Sequence, residues 1–130
     1  MQASSIDSEH RDAGIHVDSE TDGIIAVCLE GEVDLANAPA LREHVDSALA
    51  SGNDLIVDLS HATFIDSSIL RVLFDGAKAV DGRNQTMVLQ VATAPIVERA
   101  LEIVNIERVL PRAHSRAEAV EMIQEQSASA

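Results

Sequence analysis

Aromatic residues are nearly missing from this sequence, which has two Phe and neither Trp nor Tyr. Platforms on which bases stack are therefore excluded, and any interior must be aliphatic. Cys28 is the only cysteine. An internal disulfide is thus impossible, and no CxxC or Cys/His spacing for structural zinc exists. His10, His16, His44, His61 and His114 are scattered without an HExxH or HxH pattern, so neither a metal nor a cofactor is expected. Basic residues are also scarce: nine Lys and Arg against 22 Asp and Glu give a formal charge of −13. That charge repels phosphate backbones and anionic lipid, and it favours a basic protein surface as partner over nucleic acid or membrane. No apolar run approaches the roughly 20 residues of a membrane span. The first residues lack the basic-then-apolar order of a secretory signal, and the cytoplasm is the expected compartment.

What is present suits one domain with one core. The chain has 130 residues, 46% of them hydrophobic, within the usual size of a single domain. Residues 1–13 are polar and aperiodic and are expected to form a disordered tail, as are residues 125–130, leaving a domain over 14–124. Alternation at Ile15 and Val17, a "TDG" turn and the apolar run from Ile24 to Leu29 predict a hairpin. After the loop "GEVDLAN", Asn37 is placed to cap a helix carrying Pro39, Leu41, Val45, Ala48 and Leu49, which "SGN" at 51–53 ends. Residues 54–60, "DLIVDLS", read as a strand buried on both faces, with Leu55, Val57 and Leu59 opposite to Ile56. A helix is predicted over 68–80, then a strand in "TMVLQVA". Next comes a helix capped by Thr93 with Ile96, Val97, Ala100, Leu101 and Val104 in the core, and a short strand in "RVLP". A last helix opens on the Ser115/Glu118 capping-box spacing.

This order predicts an α/β domain with a mixed, mostly parallel sheet, an N-terminal antiparallel hairpin and four helices. Functional loops of such sheets gather at the carboxyl ends of the strands. "GEVDLAN" and "HATFIDSS" should share that edge.

The second of these loops carries Asp66, Ser67 and Ser68 just where a strand gives way to a helix. Unpaired N–H groups and a partial positive charge make such an end receptive to anions. One polar residue suffices as a cap, yet three occur in succession. No His or Lys joins the serines in a GxSxG or SxxK pattern, so self-contained hydrolysis is not expected. A serine here is placed to be acted upon.

The block "DLSHATFIDSSILRVL", preceded by "LEGEVDLANAPALRE" and followed by "GAKAVDGRNQTMVLQVATAPIVERALEIVNIERVLP", resembles the STAS domain of bacterial anti-sigma factor antagonists. The resemblance implies a non-enzymatic partner-switching module that binds an anti-sigma factor of the serine-kinase type and so frees a sigma factor. The kinase would phosphorylate the serine after the aspartate, and a phosphatase would reverse it. Carried onto this chain, Ser67 is the phospho-acceptor, Asp66 and Ser68 flank it, and Glu32 and Asp34 lie on the partner-binding face. Asp58 matches as well, and an end-of-strand turn accounts for it equally. The chain departs from the family at Ile69 and Arg71, where small residues are usual. Ile69 would stand at the edge of the partner face and hinder the kinase, which keeps open a STAS scaffold or transport accessory that is never phosphorylated. Arg71, four residues after Ser67, would pair with a phosphate. A small nucleotide-binding protein is the remaining alternative, weakened by the lack of a glycine-rich phosphate loop.

Overall fold

A computed structural model describes residues 14–21, 23–91 and 94–129. The tail expected over 1–13 and the Thr93 cap lie outside those residues. Two strands, β1 (Ile15–Ser19) and β2 (Ile24–Val33), form the antiparallel hairpin. They are followed by α1 (Ala38–Ala50), β3 (Asp54–Ile65), α2 (Ser67–Val80), β4 (Met87–Gln90), α3 (Pro95–Ile103), a 3-10 turn (Ile106–Arg108), β5 (Arg112–Ala113) and α4 (Arg116–Ser129). The sheet runs β1-β2-β3-β4-β5, parallel after the hairpin.

Strand neighbours in space are therefore neighbours in sequence, and crossovers of one hand put the intervening helices on one face. The larger core accordingly joins Leu41 and Val45 of α1, Leu73 of α2 and Val97 and Leu101 of α3 to Val27, Leu55, Val57 and Leu89. Period-two alternation sends Ala26, Cys28, Ile56 and Val88 to the opposite face, where Ala119 and Ile123 of α4 cover them. Burying a Leu or Ile side chain of this kind contributes about 1.5–3 kcal/mol, so the aliphatic interior is sufficient.

Five expectations need correction. Both β2 and β3 run past their predicted ends, because Glu30, Gly31, Glu32 and Val33 pair with His61, Ala62, Phe64 and Ile65 as a two-stranded ribbon beyond the edge of β4. Asn37 caps α1 by position only: its Oδ1 accepts the Asp34 amide at 3.0 Å rather than an amide of the helix. The strand expected in "RVLP" is a turn instead. Asn105 adopts φ 54°, Ile106 and Leu110 plug the core, and pairing begins only where Leu89 N–H donates to the Pro111 carbonyl. Ile96 is 60% exposed although the pattern placed it in the core, since α3 buries only the stripe through Val97 and Leu101. Finally α4 continues through the expected tail to Ser129, the stretch after Glu125 holding neither Gly nor Pro to stop it.

Candidate functional site

The ribbon formed by the extensions of β2 and β3 carries two chain reversals to one end of the molecule, and they are tied together. Asp66 is the cap of α2: in extended conformation (φ −115°, ψ −174°), it accepts through Oδ1 from the Ser68 and Ile69 amides at 2.9 and 3.3 Å. Ser68 Oγ–H also donates to Oδ1, at 2.5 Å. Asp66 Oδ2 accepts the Leu35 amide, 31 residues away, at 3.1 Å. Desolvation works against the charged carboxylate, but these four donors outweigh it and hold the Asp66 carboxyl below the ordinary range.

The loop that Asp66 reaches has its own internal geometry. Asp34 Oδ1 accepts the Ala36 amide at 3.0 Å, while the Asp34 carbonyl accepts those of Asn37 and Ala38. Such Asx-type bonding presents Leu35 at the tip, 72% exposed. Glu32 is exposed, and its partner across the ladder, Phe64, is 39% exposed.

Between these groups, Ser67 is the first residue of α2 and is exposed. Its hydroxyl makes no hydrogen bond among the described residues, in contrast to that of Ser68. Arg71 is exposed and without an ion pair among the described residues. Ile69 requires a correction: it is 0% exposed and packs in the larger core. As the third residue of a helix that lies against the sheet it points inward, so it forms no part of an accessible partner face.

Asp58 also belongs elsewhere. It has the parity of Ile56 and faces α4, where Arg116 Nη2 donates to its Oδ2 at 2.8 Å. Its Oδ1 receives the Ser60 amide and hydroxyl. Burial opposes ionisation, yet the bonds from Ser60 and Arg116 prevail and lower the Asp58 carboxyl. Arg116 bonds Gln90 and Glu20 as well, at 2.7 and 2.6 Å. Sequence reasoning missed Arg116 and Leu35. The signals were a cation at a helix N-terminus, against the dipole, and an apolar residue inside an acidic loop.

A cavity of about 880 Å³ lies between the second half of α2, the start of β4 and residues 108–111. None of its lining residues belongs to the Asp66–Ser67 turn. No described helix is long and apolar enough to cross a membrane.

Comparison with known proteins places this arrangement. The STAS domain pattern matches residues 17–119. BtrV of Bordetella bronchiseptica, whose name places it among the anti-sigma factor antagonists, is 32% identical over 96 residues, covering 73% of this chain and 82% of that protein. The crystal structure of an anti-sigma factor antagonist from Mycobacterium paratuberculosis has the same fold, with a TM-score of 0.77 at 22% identity over 85% of this chain and 92% of that one. SpoIIAA, a Bacillus cell fate determinant, in its phosphorylated form gives a TM-score of 0.65 at 16% identity, over 84% and 98% of the two chains.

Proposed function

Because the chain belongs to the STAS-domain family of anti-sigma factor antagonists, we propose that it binds an anti-sigma factor of the serine-kinase type and releases it when Ser67 is phosphorylated. The observation that carries this reading is the division of labour in the Asp66–Ser67–Ser68 turn. Asp66 and Ser68 are engaged in capping, and Ser67 alone offers an exposed hydroxyl with no bond to break. Among the described residues no general base bonds its hydroxyl, which suits a serine modified by a partner's nucleotide rather than one that attacks a substrate.

The partner face is Glu32, Asp34, Leu35, Asp66 and Ser67, with Phe64 beside it. Acidic groups around an exposed Leu match a basic surface with an apolar recess. Phosphorylation adds about −1.5 to −2 charge. At several ångströms and an effective dielectric near 20, each like-charge pair costs on the order of a few kcal/mol before screening. The helix terminus offsets little of this, since the Ser68 and Ile69 amides already serve Asp66; Arg71, four residues on, is the available counter-charge. Inward-facing Ile69 removes the steric ground for a scaffold that is never phosphorylated. A phosphatase acting on phosphoserine resets the switch, and the compartment is the cytoplasm.

Incubation with a kinase-type anti-sigma factor and ATP, followed by intact mass and peptide mapping, tests the proposal. One phosphate on Ser67, absent from Ser67→Ala, is expected. No incorporation, or incorporation on Ser68, overturns it.

A further inference from the structure

On the face of the sheet covered by α4, remote in register from Ser67, the hairpin collects three side chains of metal-binding chemistry. His16 and Asp18 alternate along β1 onto one side, and His16 lies directly across the ladder from Cys28 of β2. Linear spacing hides the set; the antiparallel register assembles it. One ligand atom from each of the three lies within 4.8 Å of those of the others. Cys28 Sγ is 3.5 Å from Asp18 Oδ2, and His16 Nε2 is 3.8 Å from the same oxygen. Ligands bound tetrahedrally at about 2.0–2.3 Å stand about 3.3–3.8 Å apart, so two edges of the triad already have the length that a bound ion requires.

We propose that His16, Asp18 and Cys28 form a binding site for a divalent ion of the zinc class, with water as fourth ligand. Imidazole and thiolate select zinc or cobalt over calcium or magnesium. The surroundings agree with that choice. His16 Nδ1 faces Glu30 Oε2 at 3.8 Å, an outer carboxylate where a metal-bound imidazole commonly has one. Among the described residues, Asp18, Glu20, Glu30 and Asp58 surround the site and Arg116 stands among them, its Nη1 3.6 Å from Asp18 Oδ2. Arg116 is held by Asp58, Glu20 and Gln90, and its Nη2 lies 3.3 Å from Sγ, placed to donate to a thiolate. His16 and Asp18 are partly exposed and open a path to the buried sulfur. Metal uptake replaces the S–H bond with a metal–sulfur bond and passes the proton to buffer, with no change of oxidation state. Because the sulfur binds metal as thiolate, uptake should be accompanied by proton release.

The test titrates the chelator-treated, reduced full chain with Co²⁺. Expected are a near-ultraviolet sulfur-to-cobalt charge-transfer band saturating at one equivalent, visible bands of tetrahedral cobalt, and bleaching by Zn²⁺. Cys28→Ser should lose the charge-transfer band. His16→Ala and Asp18→Asn, at partly exposed positions that leave the core intact, should each weaken binding at least tenfold, and Glu30→Gln about tenfold. Ser67→Ala should bind as wild type. Absence of the band in wild type overturns the site, as does equal affinity in His16→Ala and Asp18→Asn, which would mean a lone thiol taking up metal.

Discussion

The carboxylate of Asp66 accepts the amide of Leu35 at 3.1 Å while its other oxygen caps α2, so one side chain joins the Asp66–Ser67–Ser68 turn to the neighbouring loop. The start of α2, next to Ser67, and the Leu35 backbone are thereby linked through a single residue.

Loss of this bridge should be measurable without any partner. Asp66→Ala removes an N-cap, which costs about 1–2 kcal/mol, and should lower the denaturant midpoint accordingly. It should also raise hydrogen exchange at the Leu35 amide. Unchanged exchange there would show that the bridge does not hold the loop.

Serine variants should separate by role. Ser67→Glu should weaken binding to the anti-sigma factor by tenfold or more, a factor equal to about 1.4 kcal/mol, in calorimetry. Ser67→Ala should bind constitutively in the presence of ATP. Ser68→Ala should still switch and lose only the stability of one capping bond, about 1 kcal/mol. Equal affinity for Ser67→Glu and wild type would refute the charge switch.

Leu35 is the apolar candidate for an anchor, being 72% exposed. Leu35→Ala should leave thermal stability within about 0.5 kcal/mol of wild type and reduce partner affinity by at least tenfold. Asp34→Ala and added salt should chiefly slow association, as expected of charges at the edge of an interface. An effect confined to stability would place Leu35 outside the interface.

Arg71 is expected to act on the phosphate and not on the unmodified protein. Phosphorus NMR of phosphorylated wild type and Arg71→Ala should give the higher phosphate pKa in the variant, because a nearby cation favours the dianion. Identical titrations would remove Arg71 from the switch.

Acid should weaken the fold through Asp58 and Asp66. Both carboxyls are lowered on folding from 3.8, so they contribute stability above that value and lose it as pH falls through their folded values. The unfolding midpoint should therefore drop below about pH 4. Asp58→Asn should flatten part of that slope while costing about 3 kcal/mol at neutral pH, since it breaks the buried link to Arg116. An unaltered acid slope in Asp58→Asn would mean that the Arg116 link carries no stability.

Local patterns were enough to read the order of elements, the hairpin, the two-faced alternation of β3 and the helix start after Asp66. Each of these is set by residues a few positions apart: apolar period, turn glycines, caps. The Ser115 cap is of this kind, its Oγ accepting the Glu118 amide at 3.1 Å. The same patterns misplaced Ile96, because an amphipathic stripe does not say how wide a surface the sheet offers to each helix, whereas Ile69 was misplaced by the family resemblance, which set it beside Ser67 without regard to the inward face of α2.

By itself the sequence determined that the chain folds as a mixed, mostly parallel α/β sheet and that a polar triplet stands at the start of α2. Asp66 caps α2 through local bonds, its Oδ1 meeting the amides two and three residues on, whereas the reach of its other oxygen to the Leu35 amide was decided by tertiary structure. The ribbon that brings those loops together was also decided there, as was the gathering of Glu20, Cys28, Asp58 and Gln90 around Arg116 across separations of 26 to 96 residues. No local period encodes such contacts, because they exist only once strand register has set which side chains share a face.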